Sequence, residues 1–342
     1  MRSMVTDYID RTKELLYFGA VRRLVTPIEV YLELTNTCNL RCIYCYKKGL
    51  NIGAPKFFDE NLLPEILEDL HSVSPEPILF VLEGGEPLLH PNCIKIIKLI
   101  KKFNDPIDIL TNGELLNSEI ILNVSDCFDR ANDEFQISLD GISEYALLNR
   151  GNNWKKVFEN IKMLNAFGIY PRINTVITKY NIREIIKFLE YLSNTVNVKS
   201  VSLNSVIGRK NIAIRASISD KIKLEKEIDE KDYNFHIFKS FLHNVCDYDV
   251  CTENCETISE FYMRCTAMTG KLCISVDGDV YPCVFYEGRM TPLGSLRKKK
   301  ILDIWGSSEA EHFLFKRNNH LDKCVHCILN KSCTQICAGN LL

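Results

Sequence analysis

Six short strand-like runs separated by helical stretches fill residues 28–204. That alternation constrains the fold more than any other feature of the chain. The runs are 28–34, 78–82, 107–110, 135–139, 172–178 and 199–204. Helical periodicity predicts helices over 60–72, 92–103, 117–125, 154–167 and 181–193. Asp59 stands where it would cap the first of these, and Gly168 stands at the C-cap of the fourth. Ile78-Leu79-Phe80-Val81-Leu82 is apolar at every position, as expected of a strand covered on both faces. Strands and helices in this order wind by right-handed crossovers into a parallel sheet. Six units are too few for a closed eight-stranded barrel, so the expected architecture is α/β, a partial (β/α)6 TIM-type barrel.

Functional groups of such sheets collect at the C-terminal ends of the strands. The unusual residues of this chain lie there. Cys38, Cys42 and Cys45 follow the first strand, and Gly84-Gly85-Glu86-Pro87 follows the second. Asn112 follows the third, and Ser138 and Asp140 close the fourth. Three thiolates at Cx3Cx2C spacing can hold three irons of a 4Fe-4S cube. No fourth cysteine follows at a ferredoxin-like offset, so one iron keeps an open position for chemistry. The plain alternatives are a zinc knuckle or three packed thiols. Zinc sites usually pair their cysteines twice at Cx2–4C, and no second pair is close by.

The Cx3Cx2C triplet with an aromatic residue, Tyr44, just before its last cysteine resembles the signature of the radical S-adenosylmethionine (SAM) enzymes. The resemblance implies that the open iron chelates the amino and carboxylate groups of SAM. Reductive cleavage would then release a 5′-deoxyadenosyl radical that takes a hydrogen atom from substrate. Gly84 to Pro87 resembles the family's second motif, which binds the methionine amine. Its glycines permit close backbone approach, and its carbonyls and the Glu86 carboxylate can accept from an ammonium group. Ser138-Leu139-Asp140-Gly141 resembles the ribose-contacting segment. Arg150 resembles a family arginine associated with the methionine carboxylate, and Asn112 belongs to the same rim.

The C-terminal part of the chain carries a second pattern. Ten of the 15 cysteines lie between Cys246 and Cys337. Cys265-x12-Gly278-x4-Cys283 is followed by Cys324-x2-Cys327-x5-Cys333-x3-Cys337. Asp277-Gly278-Asp279 before Val280-Tyr281-Pro282-Cys283 reads as a hairpin whose far strand delivers a thiolate. The pattern resembles the SPASM domain of radical enzymes that modify peptides and proteins. That implies one or two auxiliary iron–sulfur clusters, with Cys265, Cys283 and Cys337 on the first and Cys324, Cys327 and Cys333 on the second. The family's final cysteine is missing, because the chain ends Ala338-Gly339-Asn340-Leu341-Leu342. Cys273, inside an apolar alternation, is either a further ligand or a core residue. Cys93 and Cys127 read as packing residues, and Cys246, Cys251 and Cys255 have no assigned role. Sulfatase-maturing members carry an aspartate after the cysteine of the Tyr-Pro-Cys segment. Val284 stands there, which disfavours that activity.

The resulting division is an N-terminal helical segment (1–27, helical from 4), the barrel core (28–215), a bridging helix (216–245) and a SPASM-like domain (246–342). The expected function is a radical SAM enzyme that crosslinks or dehydrogenates a ribosomal peptide or a protein side chain. It would draw electrons from a donor such as flavodoxin or ferredoxin. One alternative is a radical enzyme acting on a small molecule or cofactor precursor; another is a non-catalytic zinc-binding interaction protein. A net charge of −2 gives no reason to expect nucleic acid as a partner, and no apolar run has the length of a membrane span. Without a signal-like N-terminus the expected location is the cytoplasm, where 15 cysteines are better explained by clusters than by disulfides.

Overall fold

The structure, a computed structural model, describes residues 4–17, 23–47, 54–207, 209–241 and 266–319. Helix α1 (Met4–Tyr17) precedes the barrel. Six strands then alternate with helices: β1 (Glu29–Thr35), α2 (Leu63–His71), β2 (Leu79–Gly84), α3 (Cys93–Lys101), β3 (Ile107–Thr111), α4 (Ser118–Ser125) and β4 (Glu134–Ser138). The series continues with α5 (Glu144–Arg150), α6 (Trp154–Ala166), β5 (Arg172–Ile177), α7 (Ile185–Thr195) and β6 (Ser200–Ser205). Asp59 caps a short 3-10 turn ahead of α2 by accepting from the Asn61 amide, and Gly168 has φ +70° just beyond α6. Among the described residues no helix is long and apolar enough to cross a membrane.

Alternation along each strand explains why the sheet curls around a polar interior. Val30, Leu32 and Leu34 of β1 join Phe80, Leu82, Ile107, Ile109, Phe135, Ile137, Ile173 and Leu203 in the core beneath the helices. Most of the intervening residues, which face the lumen, are polar or charged, with Val81, Leu110 and Val176 as apolar exceptions: Glu29, Tyr31 and Glu33 on β1, Glu83 on β2, Asp108 on β3, Gln136 and Ser138 on β4. Arg172 and Asn174 on β5 and Ser202 and Asn204 on β6 continue the ring. Ion pairs close the lumen near the strand N-termini. Arg172 lies 2.5 Å from Asp108 and 3.5 Å from Glu134, and Lys13 of α1 lies 3.4 Å from Glu29. Desolvation pushes the Asp108 carboxyl up to about 6 despite its arginine.

The sheet extends beyond six strands. Helix α8 spans only Ile218–Asp229, not the longer bridging helix expected to reach residue 245. A seventh strand, β7 (His236–Phe238), follows it and pairs parallel to β6. Beyond the undescribed segment, β8 (Lys271–Ile274) pairs in parallel with β1, Glu29 opposite Lys271 and Leu32 opposite Ile274. Strand β9 (Asp279–Tyr281) turns back on β8 through Gly278 at φ +82°, as the hairpin pattern predicts. Strand β10 (Gly294–Ser295) pairs antiparallel to β9, giving one ten-stranded sheet in the order β10-β9-β8-β1-β2-β3-β4-β5-β6-β7. Helices α9 (Ile301–Trp305) and α10 (Ser308–Asn319) pack beside it, and the Trp305 indole donates to the Leu24 carbonyl at 3.1 Å. The hairpin continues the barrel wall.

Candidate active site

The cysteine loop leaves β1 at the barrel mouth and is pinned on three sides. The second strand's turn presses on it first: the Gly85 amide donates to the Thr35 carbonyl at 2.7 Å, and the Glu86 amide donates to the Thr37 carbonyl at 2.8 Å. A Cβ on Gly85 would sit 1.9 Å from the Thr37 oxygen, and one on Gly84 2.4 Å from the Thr35 oxygen. The observed close approach of the two glycines is therefore to the cysteine loop itself. From the opposite side, the Ile43 amide donates to the Asn149 carbonyl at 2.9 Å. The Asn211 side chain donates to the Tyr44 carbonyl at 3.2 Å from a third direction. Cys38 is exposed, and Cys42 and Cys45 are half-buried.

The expected rim residues converge on this loop. Asp140 is buried and accepts from the Tyr44 hydroxyl and, at 2.9 Å, from the Val176 amide. Arg150 Nε lies 3.1 Å from Asp140 Oδ1, its guanidinium stacks 5.5 Å from the Tyr44 ring centroid, and Nη1 reaches 4.0 Å from Cys42 Sγ. Arg150 arrives on α5, capped by Ser143 at its start and by Gly151 at φ +75° at its end. Asn112 is buried and donates to the Asn39 side chain at 2.8 Å, while Asn39 donates to Glu114 at 3.1 Å. Ser138 ends β4, half-buried, opposite Asn174. Glu86 lies behind the turn: Thr111 Oγ1 at 2.6 Å, the Asn112 amide at 2.8 Å and the Leu88 amide at 3.3 Å donate to it. Burial still pushes its carboxyl up to about 7. Of the turn's acceptors, its backbone rather than this carboxylate is left for an ammonium ligand.

A second group at the mouth escaped sequence reading. Lys47, two residues past Cys45, is buried with Nζ 2.5 Å from Glu33, 2.8 Å from Glu287 and 3.9 Å from Glu83. Glu33 also accepts from the Val276 amide at 3.0 Å, and the Tyr46 hydroxyl donates to Glu83 at 3.1 Å. Desolvation raises Glu33 to about 7 and Glu83 to about 6, against the pull of Lys47. Nothing local in the sequence links residues 33, 47, 83 and 287. Cys273 is fully buried among Tyr281, Val284 and Tyr46, so it packs as a core residue. Cys93 is likewise buried on α3, and Cys127 lies half-buried just past α4. Cys283 is buried just past β9. Cys265, Cys324, Cys327, Cys333 and Cys337, with Cys246, Cys251 and Cys255, lie outside the described residues.

The donor set suits an iron–sulfur cluster. Burial pushes the Cys42 thiol up to about 11, against the neighbouring guanidinium, and raises Cys38 as well. Bound iron supplies the positive charge that makes such thiolates tenable. Among the described residues no three ligating side chains converge on a single ion.

Comparison with known proteins decides the family. The radical SAM superfamily model matches residues 32–192, and the SPASM model, an iron-sulfur cluster-binding domain, matches residues 265–328. The chain belongs to the radical SAM superfamily. Its cofactors are a 4Fe-4S cluster and SAM, with auxiliary iron–sulfur binding in the SPASM domain. The non-catalytic zinc reading is set aside accordingly. This radical SAM chain is 23% identical over 337 residues to the tungsten-containing aldehyde ferredoxin oxidoreductase cofactor-modifying protein of Pyrococcus furiosus, covering 89% of this chain and 88% of that protein. It is 25% identical over 339 residues to the cysteine-type anaerobic sulfatase-maturating enzyme of Clostridium novyi, covering 90% and 86%. SuiB of Streptococcus suis bound to SAM superposes with a TM-score of 0.72 at 19% identity, over 95% of this chain and 76% of that one. SuiB bound to its precursor peptide SuiA gives 0.71 at 20% identity, over 97% and 76%. These superpositions establish the partial-barrel fold.

Proposed function

We propose that this radical SAM enzyme oxidatively modifies a ribosomally made peptide or a protein side chain, by crosslinking or dehydrogenation. In this reading Cys38, Cys42 and Cys45 hold the catalytic cluster. Tyr44, the Gly84 to Pro87 turn, Asn112, Ser138, Asp140 and Arg150 surround the cosubstrate. The cluster and SAM, when bound, supply a 5′-deoxyadenosyl radical able to take a hydrogen atom from substrate. The chain's own residues position and enclose. The glycine turn and α5 clamp the cysteine loop from opposite sides. Arg150 is fixed by Asp140 and the Tyr44 ring, and its guanidinium carries more N–H donors than those partners use, so it can pair with the methionine carboxylate.

The observation that supports the reading most is the pairing of β8 with β1, which brings the segment just after Cys283, Val284 to Glu287, against Tyr46 and Lys47 at the end of the cysteine loop. Removing a hydrogen atom leaves a substrate radical with one electron still to lose. A second redox centre beside the mouth suits a net two-electron oxidation. Similarity along nearly the whole chain to SuiB, captured with a precursor peptide, supports a peptide substrate. Val284 argues against sulfatase maturation in spite of the Clostridium relative. A second reading, a small molecule or cofactor precursor as substrate, draws on the charged lumen and on the Pyrococcus relative.

The test is anaerobic incubation with reductant, SAM and the short peptides encoded beside the gene. Formation of 5′-deoxyadenosine together with a peptide lighter by two hydrogens is expected. Cosubstrate cleavage with every peptide unchanged favours the second reading. Alanine at Cys38, Cys42 or Cys45 should abolish 5′-deoxyadenosine, and a variant that still makes it would sink the cluster assignment.

A further inference from the structure

One wall of the barrel lumen carries polar side chains that the fold itself does not use. Gln136 on β4, Asn174 on β5 and Ser202 and Asn204 on β6 face the lumen and are half-buried, so they line open space. Two of them form a fixed pair. Asn204 Nδ2 donates to Asn174 Oδ1 at 2.7 Å and to the Ser202 carbonyl at 3.5 Å. That carbonyl can only accept, so the orientation of the Asn204 amide is set, and through it that of Asn174. One donor, Asn174 Nδ2, and one acceptor, Asn204 Oδ1, are left without a hydrogen-bond partner among the described residues. Above Arg172 the strand residues of this wall are uncharged. The cations Arg172, Lys13 and Lys47 are already held, by Asp108 at 2.5 Å, by Glu29 at 3.4 Å and by Glu287 at 2.8 Å.

We propose that Asn174 and Asn204 bind the backbone of an extended peptide substrate, Asn174 Nδ2 donating to a carbonyl and Asn204 Oδ1 accepting from an amide N–H. This assignment rests on the peptide reading above and adds the residues that select such a substrate. In an extended chain the N–H and C=O of one residue point to the same side, as they do toward a neighbouring strand. An adjacent donor and acceptor on the wall meet that pair whatever side chain the residue carries. Asn174 stands opposite Ser138 in register, so a peptide held there lies beside the residues proposed to surround the cosubstrate. A polyanionic substrate finds no such fit. It would have to draw Arg172, Lys13 or Lys47 away from its carboxylate, leaving that carboxylate uncompensated in the lumen.

The experiment is calorimetric titration of the anaerobic holoprotein with SAM present and no reductant, so that binding is read without turnover. The probes are the short peptides encoded beside the gene, and GTP as a polyanion. Asn174→Asp is the decisive variant: it is nearly isosteric, keeps the oxygen that accepts from Asn204, and turns the lumen-facing donor into an acceptor. It should weaken peptide binding about tenfold or more, and Asn174→Leu/Asn204→Leu about 10- to 100-fold. The affinity for SAM, titrated separately, should stay at the wild-type value in both, and GTP should not bind. Peptide affinity unchanged in both variants overturns the proposal. So does a loss of SAM affinity in place of peptide affinity, which would assign the pair to the cosubstrate. Binding of GTP, or of no peptide at all, overturns it too. Failure of the oxidative reading shows separately: a peptide that binds through the pair yet returns unchanged from reductive incubation removes that chemistry and leaves the recognition standing.

Discussion

Gly85→Ala is the sharpest single perturbation of the site. Gly85 does not have a φ in the left-handed region, so alanine meets no backbone penalty of its own and the whole effect is contact. The added Cβ would lie 1.9 Å from the Thr37 oxygen, 2.3 Å from its carbon and 2.9 Å from the Cys38 nitrogen. All three are main-chain atoms, so no side-chain rotation relieves the clash. The turn and the cysteine loop must separate by more than an ångström. That breaks the Gly85-to-Thr35 and Glu86-to-Thr37 hydrogen bonds at 2.7 and 2.8 Å. Two such bonds contribute about 1–3 kcal/mol net, and overpacking of this kind costs about 1–3 kcal/mol more. The expected loss is therefore about 2–6 kcal/mol. With a urea m-value of about 3 kcal/mol/M, that lowers the midpoint by roughly 0.7–2 M. Because Cys38 sits at the point of contact, iron retained per chain after anaerobic purification should fall as well. A Gly85→Ala protein with a wild-type midpoint and full iron content would show that the turn does not press on the loop as described.

Lys47→Met removes the cation paired with the buried Glu33 and the half-buried Glu287, beside the buried Glu83, and should cost about 3–5 kcal/mol in urea unfolding at pH 8. Adding Glu33→Gln should recover part of that loss, and strict additivity of the two changes would refute the ion cluster. Glu83 gives a pH signature. Its folded value of about 6 lies above the ordinary 4.5, so the folded state holds its proton more tightly than the unfolded chain. Stability from this group is greatest below pH 4.5 and falls as pH rises to 6, by about 2 kcal/mol in all. Between pH 4 and pH 8 the stability of Glu83→Gln relative to wild type should therefore rise by that amount; a constant difference refutes the shift. Arg150→Met leaves Asp140 buried without its partner and should lower the urea midpoint and weaken binding of SAM to the reconstituted cluster, read from its EPR change. A pure loss of stability with cosubstrate binding intact would confine Arg150 to a structural role.

Local pattern carried the barrel far. Strands β1 to β6 fall within two residues of the runs read from the chain, because each must alternate or run apolar to cover the helical core. The rim was legible for the same reason: a loop after a strand has one place to go. What escaped depends on distant partners or on brevity. Three residues, His236–Phe238, are too few to show a period, so β7 vanished into the charged helix before it. Cys273 looked ambiguous because its burial depends on β1, 242 residues away in register at Tyr31. Helix α5 had readable ends, Ser143 and Gly151, but only seven residues between them. The Lys47 cluster unites four segments whose charges, taken singly, resemble surface residues. Glu86 shows the reverse: its motif suggested a ligand, and its geometry shows an acceptor already filled by Thr111, Asn112 and Leu88.

The β1–β8 pairing also orders events during synthesis. Strand β1 emerges early, while its neighbour begins at Lys271. At about 5–20 residues per second the ribosome needs roughly 12–48 s to make the intervening chain. Throughout that interval the barrel has a bare edge at β1, Glu33 lacks the Val276 amide, and Lys47 lacks Glu287. The cysteine loop therefore waits, half-built, for the last fifth of the protein. A chain terminated before residue 266 would keep that edge permanently and present it to other chains as a template for aggregation.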